Sequence, residues 1–414
     1  MKHGCDEYDP NSLTVEQAQA LIDRIVEPVS GRERVFLRAA LDRVLATDVP
    51  APFDVPPHRN SAMDGYAVRA VDLPAEGEAR LAVIGESFAG RPFAGELAAG
   101  QAVRIMTGAV VPAGADTVVM QENVQREGDT IILGPGQRAG DNVRHPGEDM
   151  QAGEVVLEAG RRLNAADIGL LASFGIAEID VHRRPVVAFF STGDELKGIG
   201  SRLGEGDIYD SNRYTLHALL ERLPVAIRDM GVIPDDPAAV RAAFAEAAAH
   251  ADVVITSGGV SVGDADYVKQ TLDALGKVDF WKIAMKPGRP LAFGRLGEAV
   301  FFGLPGNPVS VMATFILFAR PALLKRAGAR PVPPLTLKAR TQTRLKKRPG
   351  RKDYQRGILA QADDGTLAVD TTGLQGSHVL SSMSRADCFI ALPRESGDVE
   401  AGEWVEVIPF AGLF

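Results

Sequence analysis

Cysteine is scarce in this chain, with only two residues, Cys5 and Cys388, among 414. The sequence contains no CxxC or HExxH motif, and its seven histidines are scattered. A disulfide framework or a structural zinc site needs paired or closely spaced ligands of these types. We therefore expect neither in this protein.

A long apolar segment is also missing. The first ten residues, MKHGCDEYDP, lack the apolar core of a signal peptide. The longest apolar run, Val309 to Ala319, is shorter than the roughly 20 residues that a membrane-spanning helix needs. We therefore expect a cytoplasmic protein that does not associate with membranes.

An excess of basic residues is absent as well, since the net charge is -9. A protein that binds nucleic acid through a broad basic face has the opposite balance, so we expect no nucleic-acid partner. A few local lysines and arginines are still enough to bind a small anion. With 45% hydrophobic and 24% charged residues, the composition is that of a globular protein.

The N-terminal part of the chain predicts helical structure. The stretch LTVEQAQALIDRIV has apolar residues at helical spacing, and Ser12 or Thr14 can cap it. A second amphipathic segment runs from Glu33 to Ala51. The proline-rich stretch VPAPFDVPP marks the end of this first part, residues 13–53. Residues 151–184 predict a strand, a turn and a helix that lead into the next unit.

Two other regions are rich in short β-type runs. Residues 54–150 alternate such runs with Gly-, Pro- and Asp-rich turns, which predicts a small inserted β module of sandwich or barrel type. Residues 332–414 have the same texture after a Pro-rich linker. We expect a second small β domain there.

Apolar strands and helices alternate over residues 185–328. VVAFFST, DVVITS and EAVFFGL predict strands, and SNRYTLHALLERL, ADYVKQTLDAL and PVSVMATFILFARPALLKR predict helices. This alternation predicts an α/β domain with a mostly parallel sheet and helices on both faces. Ligands of such sheets bind beyond the carboxyl ends of the strands, so the loops that follow the strands are the candidate sites.

The strongest candidate is DVVITSGGVSVGDADYVK, in which a strand runs into a glycine loop and a helix. Adjacent glycines let the backbone approach a ligand closely, and free N–H groups of the loop and of the helix start favour phosphate. The alternative interpretation is a turn that needs glycine only for its geometry. The candidate binding residues are Ser257, Gly258, Gly259, Ser261 and Gly263.

Two familiar patterns overlap this loop. GGVSVGDA has the glycine spacing of a P-loop, but Asp264 stands where lysine is required, so a P-loop is excluded. Gly259 to Gly263 also fits the G-x-S-x-G nucleophile turn of α/β-hydrolases, with Ser261 as nucleophile and His378 downstream. No HGGG-type oxyanion motif accompanies it, which disfavours a hydrolase.

The turn LPGNP supplies a second candidate at the end of another strand. Pro308 suits the first position of a helix, and Asn307 suits its cap. Gly306 lets the turn approach a ligand, and Pro305 braces it. We expect another anion-binding helix start here.

Cations and acids occupy further loops. Lys282, Lys286 and Arg289 lie in WKIAMKPGRP and can neutralise an oxyanion. Acids follow the strands too, and hard carboxylates at loop ends are typical ligands of Mg²⁺ on phosphate oxygens. Each acid alone is better explained as a cap or turn residue. These acids are Asp194, Glu195, Asp210, Asp235, Asp264 and Asp266.

Polar residues also gather in the loops of the inserted β module. They make sense if the module closes over a site on the α/β domain of the same chain or of a second copy, and ordinary turn chemistry is the alternative. The residues are Arg59, Ser61, Asp64, Thr107, Asp116, Arg144, Glu148 and Asp149.

Nine segments, in this order, resemble the motifs of the molybdopterin molybdenumtransferases, which include the bacterial MoeA proteins and the corresponding domain of animal gephyrin. The resemblance runs from about Leu13 to Phe414. The segments are NSAMDGYAV, RIMTGAVVPAGADTVVMQE, RHPGEDM, STGDEL, IYDSN, SGGVSVGDADY, KPGRP, GLPGNPVS and TRLKKRPGRKDYQRG.

The resemblance implies an elongated N-terminal region interrupted by the β module, an α/β molybdopterin-binding domain and a C-terminal β barrel. It also implies a homodimer whose site lies between the α/β domain of one chain and the β module of the other. The implied reaction places molybdate on adenylylated molybdopterin, with Mg²⁺, and releases AMP. The adenylyltransferase of the same pathway is an implied partner.

Carried over by motif, the functional residues of the family fall on positions of this sequence. Glu195, Asp235 and Asp266 are the expected Mg²⁺ ligands, and Lys282 and Lys286, with Arg356, are expected to offset the charge of substrate and molybdate. Two alternatives remain, an adenylyltransferase and a non-catalytic scaffold. The full set of matched residues is Asp64, Thr107, Asp149, Glu195, Asp235, Asp266, Lys282, Lys286, Pro305, Pro308 and Arg356.

Overall fold

Two structural units make up the chain in the computed structural model, which describes residues 11–258 and 266–413, except for the side chains of residues 266–269. The first unit comprises Met1–Thr47, Gly160–Ile168 and Ala177–Phe414. The second comprises Asp48–Ala159 and Gly169–Ile176, so it is wider than the β module expected over 54–150.

Strands and helices follow one another along both units. The strands are β1 (Arg32–Phe36), β2 (Val49–Pro50), β3 (Asn60–Ser61), β4 (Gly65–Val68), β5 (Ala79–Ser87), β6 (Gln101–Ile105), β7 (Thr117–Met120), β8 (Val124–Glu127), β9 (Thr130–Leu133), β10 (Val143–Arg144), β11 (Val155–Leu157), β12 (Glu178–His182), β13 (Val186–Thr192), β14 (Leu196–Lys197), β15 (Ile208–Tyr209), β16 (Ala226–Ile233), β17 (Val253–Ser257), β18 (Gly276–Lys282), β19 (Met285–Lys286), β20 (Pro290–Leu296), β21 (Ala299–Leu304), β22 (Leu337–Thr341), β23 (Lys352–Gln361), β24 (Leu367–Thr371), β25 (Cys388–Leu392) and β26 (Trp404–Pro409). The α-helices are α1 (Val15–Ile25), α2 (Ala165–Ser173), α3 (Ser211–Leu220), α4 (Pro237–His250), α5 (Asp266–Leu275), α6 (Pro308–Thr314), α7 (Arg320–Arg326) and α8 (Leu380–Arg385).

A six-stranded sheet forms the centre of the first unit, in the order β16-β13-β17-β21-β20-β18. The pairings from β16 to β21 are parallel, and the two pairings made by β20 are antiparallel. Successive side chains of a strand point to opposite faces. Accordingly, Phe189 packs with the helices α3, α6 and α7, whereas its neighbour Phe190 packs with α4 and α5. The predicted α/β architecture is confirmed.

Helix α1 begins at a capping box, in which Thr14 and Gln17 bond each other's backbone N–H groups. The predicted helix and its Thr14 cap are therefore confirmed. The segment from Glu33 to Ala51, read as amphipathic, instead starts as strand β1, which pairs antiparallel with β12. Pairing with a distant strand overrides the local pattern there.

A π-helical segment, Phe315–Ala319, joins α6 to α7 just before Pro321. Pro321 has no N–H to donate to the carbonyl four residues earlier, that of Leu317. Gln19 of α1 replaces the missing donor, with its Nε2 3.0 Å from the Leu317 oxygen. The proline thus explains both the wider helical turn and the contact with α1.

The helical stretch Pro308–Arg326 is, within the described residues, long and apolar enough to cross a membrane by length and composition. It is longer than the apolar run recognised in the sequence. However, 72% of it is buried inside the fold, as expected for the core helix of a globular protein. It is therefore weak evidence for a membrane span.

The C-terminal strands close into a barrel in the order β23-β24-β22-β26-β25, with β25 pairing back to β23. Ala339, Val369, Ile390 and Val407 fill its interior. The short strand β19 pairs with β23, so the segment that carries Lys286 is attached to the barrel. The predicted C-terminal β domain is confirmed.

The second unit contains a sheet in the order β7-β4-β6-β5-β9-β8. Both of its faces are covered, since Ala67 and Val118 belong to one apolar cluster while their neighbours Tyr66 and Val119 belong to another. Its strand pairs β3–β10 and β2–β11 carry the polar loops singled out in the sequence. The β character predicted for this part of the chain is confirmed.

Candidate active site

The strands β13, β17 and β21 end side by side. Ser191 pairs with Ser257, and Ser257 pairs with Leu304, so the three strands release their chains at one edge of the sheet. The loops that start there carry Glu195, Gly258 and Gly306. The strand register therefore confirms the sequence-based expectation that these loops lie close together.

Gly258 turns the chain at the end of β17 with a φ of +89°. A Cβ atom at this position would lie 3.0 Å from the carbonyl oxygen of Thr192. Both the backbone angle and the close approach therefore require glycine. Gly259, Ser261 and Gly263, as well as the side chain of Asp266, lie outside the described part of the chain.

The turn after β21 reaches the same place. A Cβ atom at Gly306 would lie 3.9 Å from the Cα atom of Gly258, and the N–H of Gly258 donates to the carbonyl of Leu304 at 3.2 Å, so the two glycine turns lie side by side. Pro305 is buried, and Pro308 occupies the first turn of α6 as predicted. Asn307 stands at the cap position, but its side chain makes no capping bond, which corrects that prediction.

A loop of the barrel also reaches the start of α6. The backbone N–H of Val309 donates to the carbonyl of Ser377 at 3.1 Å. One of the free N–H groups that a helix start offers to an anion is therefore already used. Anion binding here depends more on the side chains around the turn than on the helix end.

Asn212 ties the two glycine turns together. Its Nδ2 donates to the Ser257 hydroxyl at 2.9 Å and to the Gly306 carbonyl at 2.7 Å. Two residues earlier, Asp210 is buried and caps α3, accepting bonds from the Arg213 N–H and the Ser191 hydroxyl. Asp210 is thus a structural cap, as the alternative interpretation held. Sequence reasoning missed Asn212, although it stands in the IYDSN motif.

The acidic loops that follow β13 and β16 are joined by a hydrogen bond from a backbone N–H to a carboxylate. Asp194 Oδ1 accepts from the N–H of Asp235 at 3.0 Å, and the carboxylate of Glu195 lies directly over Gly193. Glu195 and Asp235 are both exposed. Among the described side chains, no three acids, histidines or cysteines are grouped to hold a metal. Two of the three expected Mg²⁺ ligands thus lie on loops that the structure joins, and the third, Asp266, has no described side chain.

The lysine loop packs against the long helix. A Cβ atom at Gly288 would lie 2.6 Å from Cγ2 of Thr314 and 3.5 Å from the carbonyl of Ser310, so the KPG turn lies on α6. Lys282 and Lys286 are both exposed at the ends of β18 and β19. The structure therefore places the KPG turn, which follows Lys286, against the helix that begins at Pro308.

Asp353 is a buried acid opposite Lys286 in the β19–β23 pair. Burial raises the pKa of Asp353, and Lys286 is the first of several neighbours that oppose this rise. The other opposing groups are Gln355, Lys347 and Arg356. The buried side chain of Asp353 thus balances part of the positive charge of Lys286.

Arg356 is only 1% exposed. Its Nε donates to the Ser382 hydroxyl at 3.0 Å and its Nη2 to the Gly376 carbonyl at 3.1 Å. Burial lowers the pKa of Arg356 to about 10. In the structure the guanidinium braces the barrel loop that meets the start of α6, and its expected help in offsetting the charge of the substrate stays a prediction.

Asp64 and Thr107 form a pair in the second unit. Both the N–H and the hydroxyl of Thr107 donate to Asp64 Oδ1, and these bonds lower the pKa of the carboxyl. Asp149 is exposed in the chain segment that pairs with Val55. Glu148 instead accepts a bond from the backbone N–H of His145, which is ordinary turn chemistry. Asp116 accepts a bond from the backbone N–H of Ala70, 46 residues away in the chain.

Known proteins match this chain over almost its whole length. Residues 13–175 match the MoeA N-terminal region (domain I and II), residues 188–325 the probable molybdopterin binding domain, and residues 338–410 the MoeA C-terminal region (domain IV). The molybdopterin molybdenumtransferase of Haemophilus influenzae is 45% identical over 404 residues, covering 97% of this chain and 99% of the relative. The chain belongs to the molybdopterin molybdenumtransferase (MoeA) family.

Further matches agree with this membership. The molybdopterin molybdenumtransferase of a Nostoc species is 39% identical, covering 91% of this chain and 88% of the relative. The crystal structure of the molybdopterin biosynthesis moeA protein from Pyrococcus horikoshii OT3 superposes with a TM-score of 0.84 at 32% identity, covering 96% of this chain and 100% of that one. The MoeA-like multidomain fold implied by the sequence motifs is thereby confirmed.

Proposed function

We propose that this chain transfers molybdenum from molybdate to the dithiolene sulfurs of adenylylated molybdopterin, with Mg²⁺, and releases AMP. Membership of the MoeA family supports the molybdenum transfer, since relatives matched over nearly their whole length carry the name molybdopterin molybdenumtransferase. The structural observation that carries the proposal is the contact between the Gly258 and Gly306 turns at the edge of the sheet.

The pocket at this edge suits a substrate with a heterocycle and several phosphate oxygens. Ser257, Gly258 and the turn from Pro305 to Pro308 would hold the substrate, because glycine turns let a ligand approach the main chain. Lys282 and Lys286 would lie next to its phosphates and to molybdate. Exposed ammonium groups beside anions offset the charge that must be brought together.

Exposed carboxylates suit the magnesium ion that the proposed reaction requires. Glu195 and Asp235 offer hard oxygen ligands on loops joined by the bond between Asp194 and the Asp235 N–H, and Asp266 would complete the set. The ion would neutralise the pyrophosphate and make AMP a better leaving group. No nucleophilic side chain is required, so these residues act by binding and orienting the reactants.

We also propose that two copies of the chain form a homodimer in the cytoplasm, in which Asp64, Thr107 and Asp149 of one copy complete the pocket of the other. These polar groups lie on loops of a β unit that has no catalytic requirement of its own. The adenylyltransferase that makes the substrate is the proposed partner, since direct transfer would protect a labile dithiolene. Mixed dimers of Asp64→Asn and Lys286→Gln chains would test this arrangement, because one of their two pockets would be intact.

The proposed reaction can be tested with purified protein, adenylylated molybdopterin, molybdate and Mg²⁺. We expect AMP release and activation of an apo-molybdoenzyme. Lys286→Gln should slow both by at least about tenfold, the loss expected for one charged contact in a transition state. Lys338→Gln, which removes an exposed lysine of the barrel, is the matched control.

Two outcomes would contradict the proposal. One is an unchanged yield of active molybdoenzyme with Lys286→Gln. The other is consumption of ATP with bare molybdopterin, which would assign the chain to the preceding adenylyl transfer. A strain that lacks this gene should regain molybdoenzyme activity when the chain is supplied, and a lack of rescue would count against the assignment.

A further inference from the structure

Two residues beside the glycine turns each have a buried polar atom without any hydrogen-bond partner. These atoms are the hydroxyl oxygen of Thr192 and Oδ1 of Asn212, two of seven such side-chain atoms in the described part of the chain. Buried polar groups in proteins are nearly always paired, so two orphaned groups in one place indicate that a partner is supplied from outside. Neither residue was among the candidates read from the sequence.

The two residues flank Gly258. Thr192 ends β13, and its hydroxyl lies 3.6 Å from the position of a Cβ atom on Gly258. Asn212 bonds Ser257, the residue before Gly258, and Gly306, whose turn touches Gly258. Both orphaned atoms therefore belong to residues that border the pocket assigned to the substrate.

The orientation of the Asn212 amide is fixed by its partners. The carbonyl of Gly306 can only accept a hydrogen bond, so the atom 2.7 Å from it must be the amide nitrogen. The remaining atom, Oδ1, can only accept. The Thr192 hydroxyl can either donate or accept.

These requirements exclude a fully deprotonated oxyanion as the partner of Asn212. The pyrophosphate of adenylylated molybdopterin and molybdate carry no proton at neutral pH and cannot donate to Oδ1. A donor next to a second polar group is instead typical of the edge of an amino-substituted heterocycle, where an N–H lies beside a ring nitrogen or a carbonyl. The substrate of the proposed function carries two such rings, an adenine and a pterin.

We propose that Thr192 and Asn212 form a recognition pair that binds the amino-bearing edge of a heterocycle of the substrate. This pair rests on the proposed function for the identity of the ligand, but its binding can be measured without turnover. Asn212 receives an N–H of the ring at Oδ1, and Thr192 bonds the neighbouring polar atom. The pair would select the ring, whereas the lysines select the anionic groups.

Binding to the full-length protein tests the pair with four probes. AMP and purine riboside 5′-monophosphate differ by the adenine amino group, and pterin and pteridin-4(3H)-one differ by the pterin amino group. We expect the amino form of one pair to bind about tenfold more tightly, the difference that a single unpaired buried group typically makes. The preferred pair identifies which of the two rings is held.

Thr192→Val should reduce this preference to less than about threefold, while binding of inorganic phosphate stays unchanged. Asn212→Ala should reduce the preference too, but it also removes the bonds to Ser257 and Gly306. Thr192→Val is the cleaner variant, because the hydroxyl that it removes bonds nothing in the fold. Thr341→Val, in the barrel, is the matched control and should keep the wild-type preference. In turnover, the KM of the substrate should rise while kcat changes little.

Three results would overturn the pair: no preference for either amino form in the wild type, a preference that survives in Thr192→Val, or an equal loss of phosphate binding. A failure of the proposed function looks different. In that case the amino forms would still be preferred, but no molybdenum would be transferred.

Discussion

Thr107 donates two hydrogen bonds to one oxygen of Asp64, from its backbone N–H at 2.7 Å and from its hydroxyl at 2.8 Å. The N–H bond is the larger cause that lowers the pKa of Asp64, the hydroxyl bond comes next, and Arg104 adds a smaller attraction. The Asp64 carboxylate is therefore ionised at neutral pH and held in one orientation. Its negative charge is a fixed property of the second unit.

Thr107→Val removes the hydroxyl bond and keeps the N–H bond. We expect the pKa of Asp64 to rise towards 3.8 without reaching it. Because the folded pKa is lowered, the contribution of Asp64 to stability is present above the unfolded pKa and is lost as the pH falls through the folded value. The variant should lose this contribution at a higher pH. Carboxyl NMR titration measures the shift, with Asp364, which Thr366 holds in a similar way, as the internal reference. An unmoved Asp64 would refute this.

Gly258→Ala should disturb both the fold and the pocket. The methyl group would meet the Thr192 carbonyl at 3.0 Å, and alanine would be strained at a φ of +89°. We expect the free energy of unfolding to fall by about 1–3 kcal/mol, and AMP binding to weaken at least about tenfold. Urea unfolding and calorimetric titration measure the two effects.

Gly77→Ala is the matched control for this variant. Gly77 also has a positive φ, of +72°, but a Cβ atom there meets nothing within 4 Å. It should cost only the backbone strain and leave AMP binding unchanged. Equal effects of the two substitutions on AMP binding would show that the close contact at Gly258 has no part in the pocket.

Gln19 and Pro321 should be energetically coupled through the Leu317 carbonyl. Gln19→Ala removes the side-chain donor to this oxygen, which should reduce the free energy of unfolding by about 1 kcal/mol. Pro321→Ala restores a backbone N–H that can take the place of Gln19. Gln19→Ala should then cost little in the Pro321→Ala background. A double-mutant cycle in urea measures the coupling, and purely additive costs would refute it.

Arg356→Lys should destabilise the barrel loop. Lysine keeps the charge but cannot bond both the Ser382 hydroxyl and the Gly376 carbonyl in the planar geometry of a guanidinium. We expect a loss of about 2–4 kcal/mol in unfolding free energy, because a buried charge loses its partners. Arg340→Lys, at an exposed position over Trp404, should change stability by less than about 0.5 kcal/mol. Wild-type stability of Arg356→Lys would contradict the bracing role.

The parallel core was predictable because its strands are buried on both faces. VVAFFST, DVVITS and EAVFFGL read as continuous apolar runs, and each ends in a turn signal that marks the loop of interest. The helix starting at Pro308 was predictable because proline suits the first turn of a helix and not its interior. Residues such as Gly258 and Gly306 followed directly from these boundaries.

Strands β1 and β16 could not be predicted in this way. β16 has half-buried side chains along most of its length, with Arg228 and Asp229 in its middle, so no apolar run marks it. β1 depends on β12, with Val35 opposite Ile179 far along the chain. Pairing partners this distant leave no trace in the local sequence.

The site residues likewise differ in how far the sequence alone could predict their roles. Lys286 and Glu195 are exposed on loops, where the residue type alone suggests what the side chain can do. Arg356 has the same charge as a surface arginine, and only its burial shows that it acts on the loop beside it. Asn212 was read as part of a helix start, because the carbonyl that it bonds lies 94 residues away.

The meeting of Gly258 and Gly306 has a consequence for how this pocket can evolve. Where two peptide backbones touch, the floor of a cavity is built from atoms common to every amino acid, and substitution cannot reshape it. New specificity would have to arise at the rim, through residues such as Thr192, Asn212 and the lysines. Relatives with the same fold but different substrates should therefore keep the glycine turns of the floor and differ in the side chains at the rim.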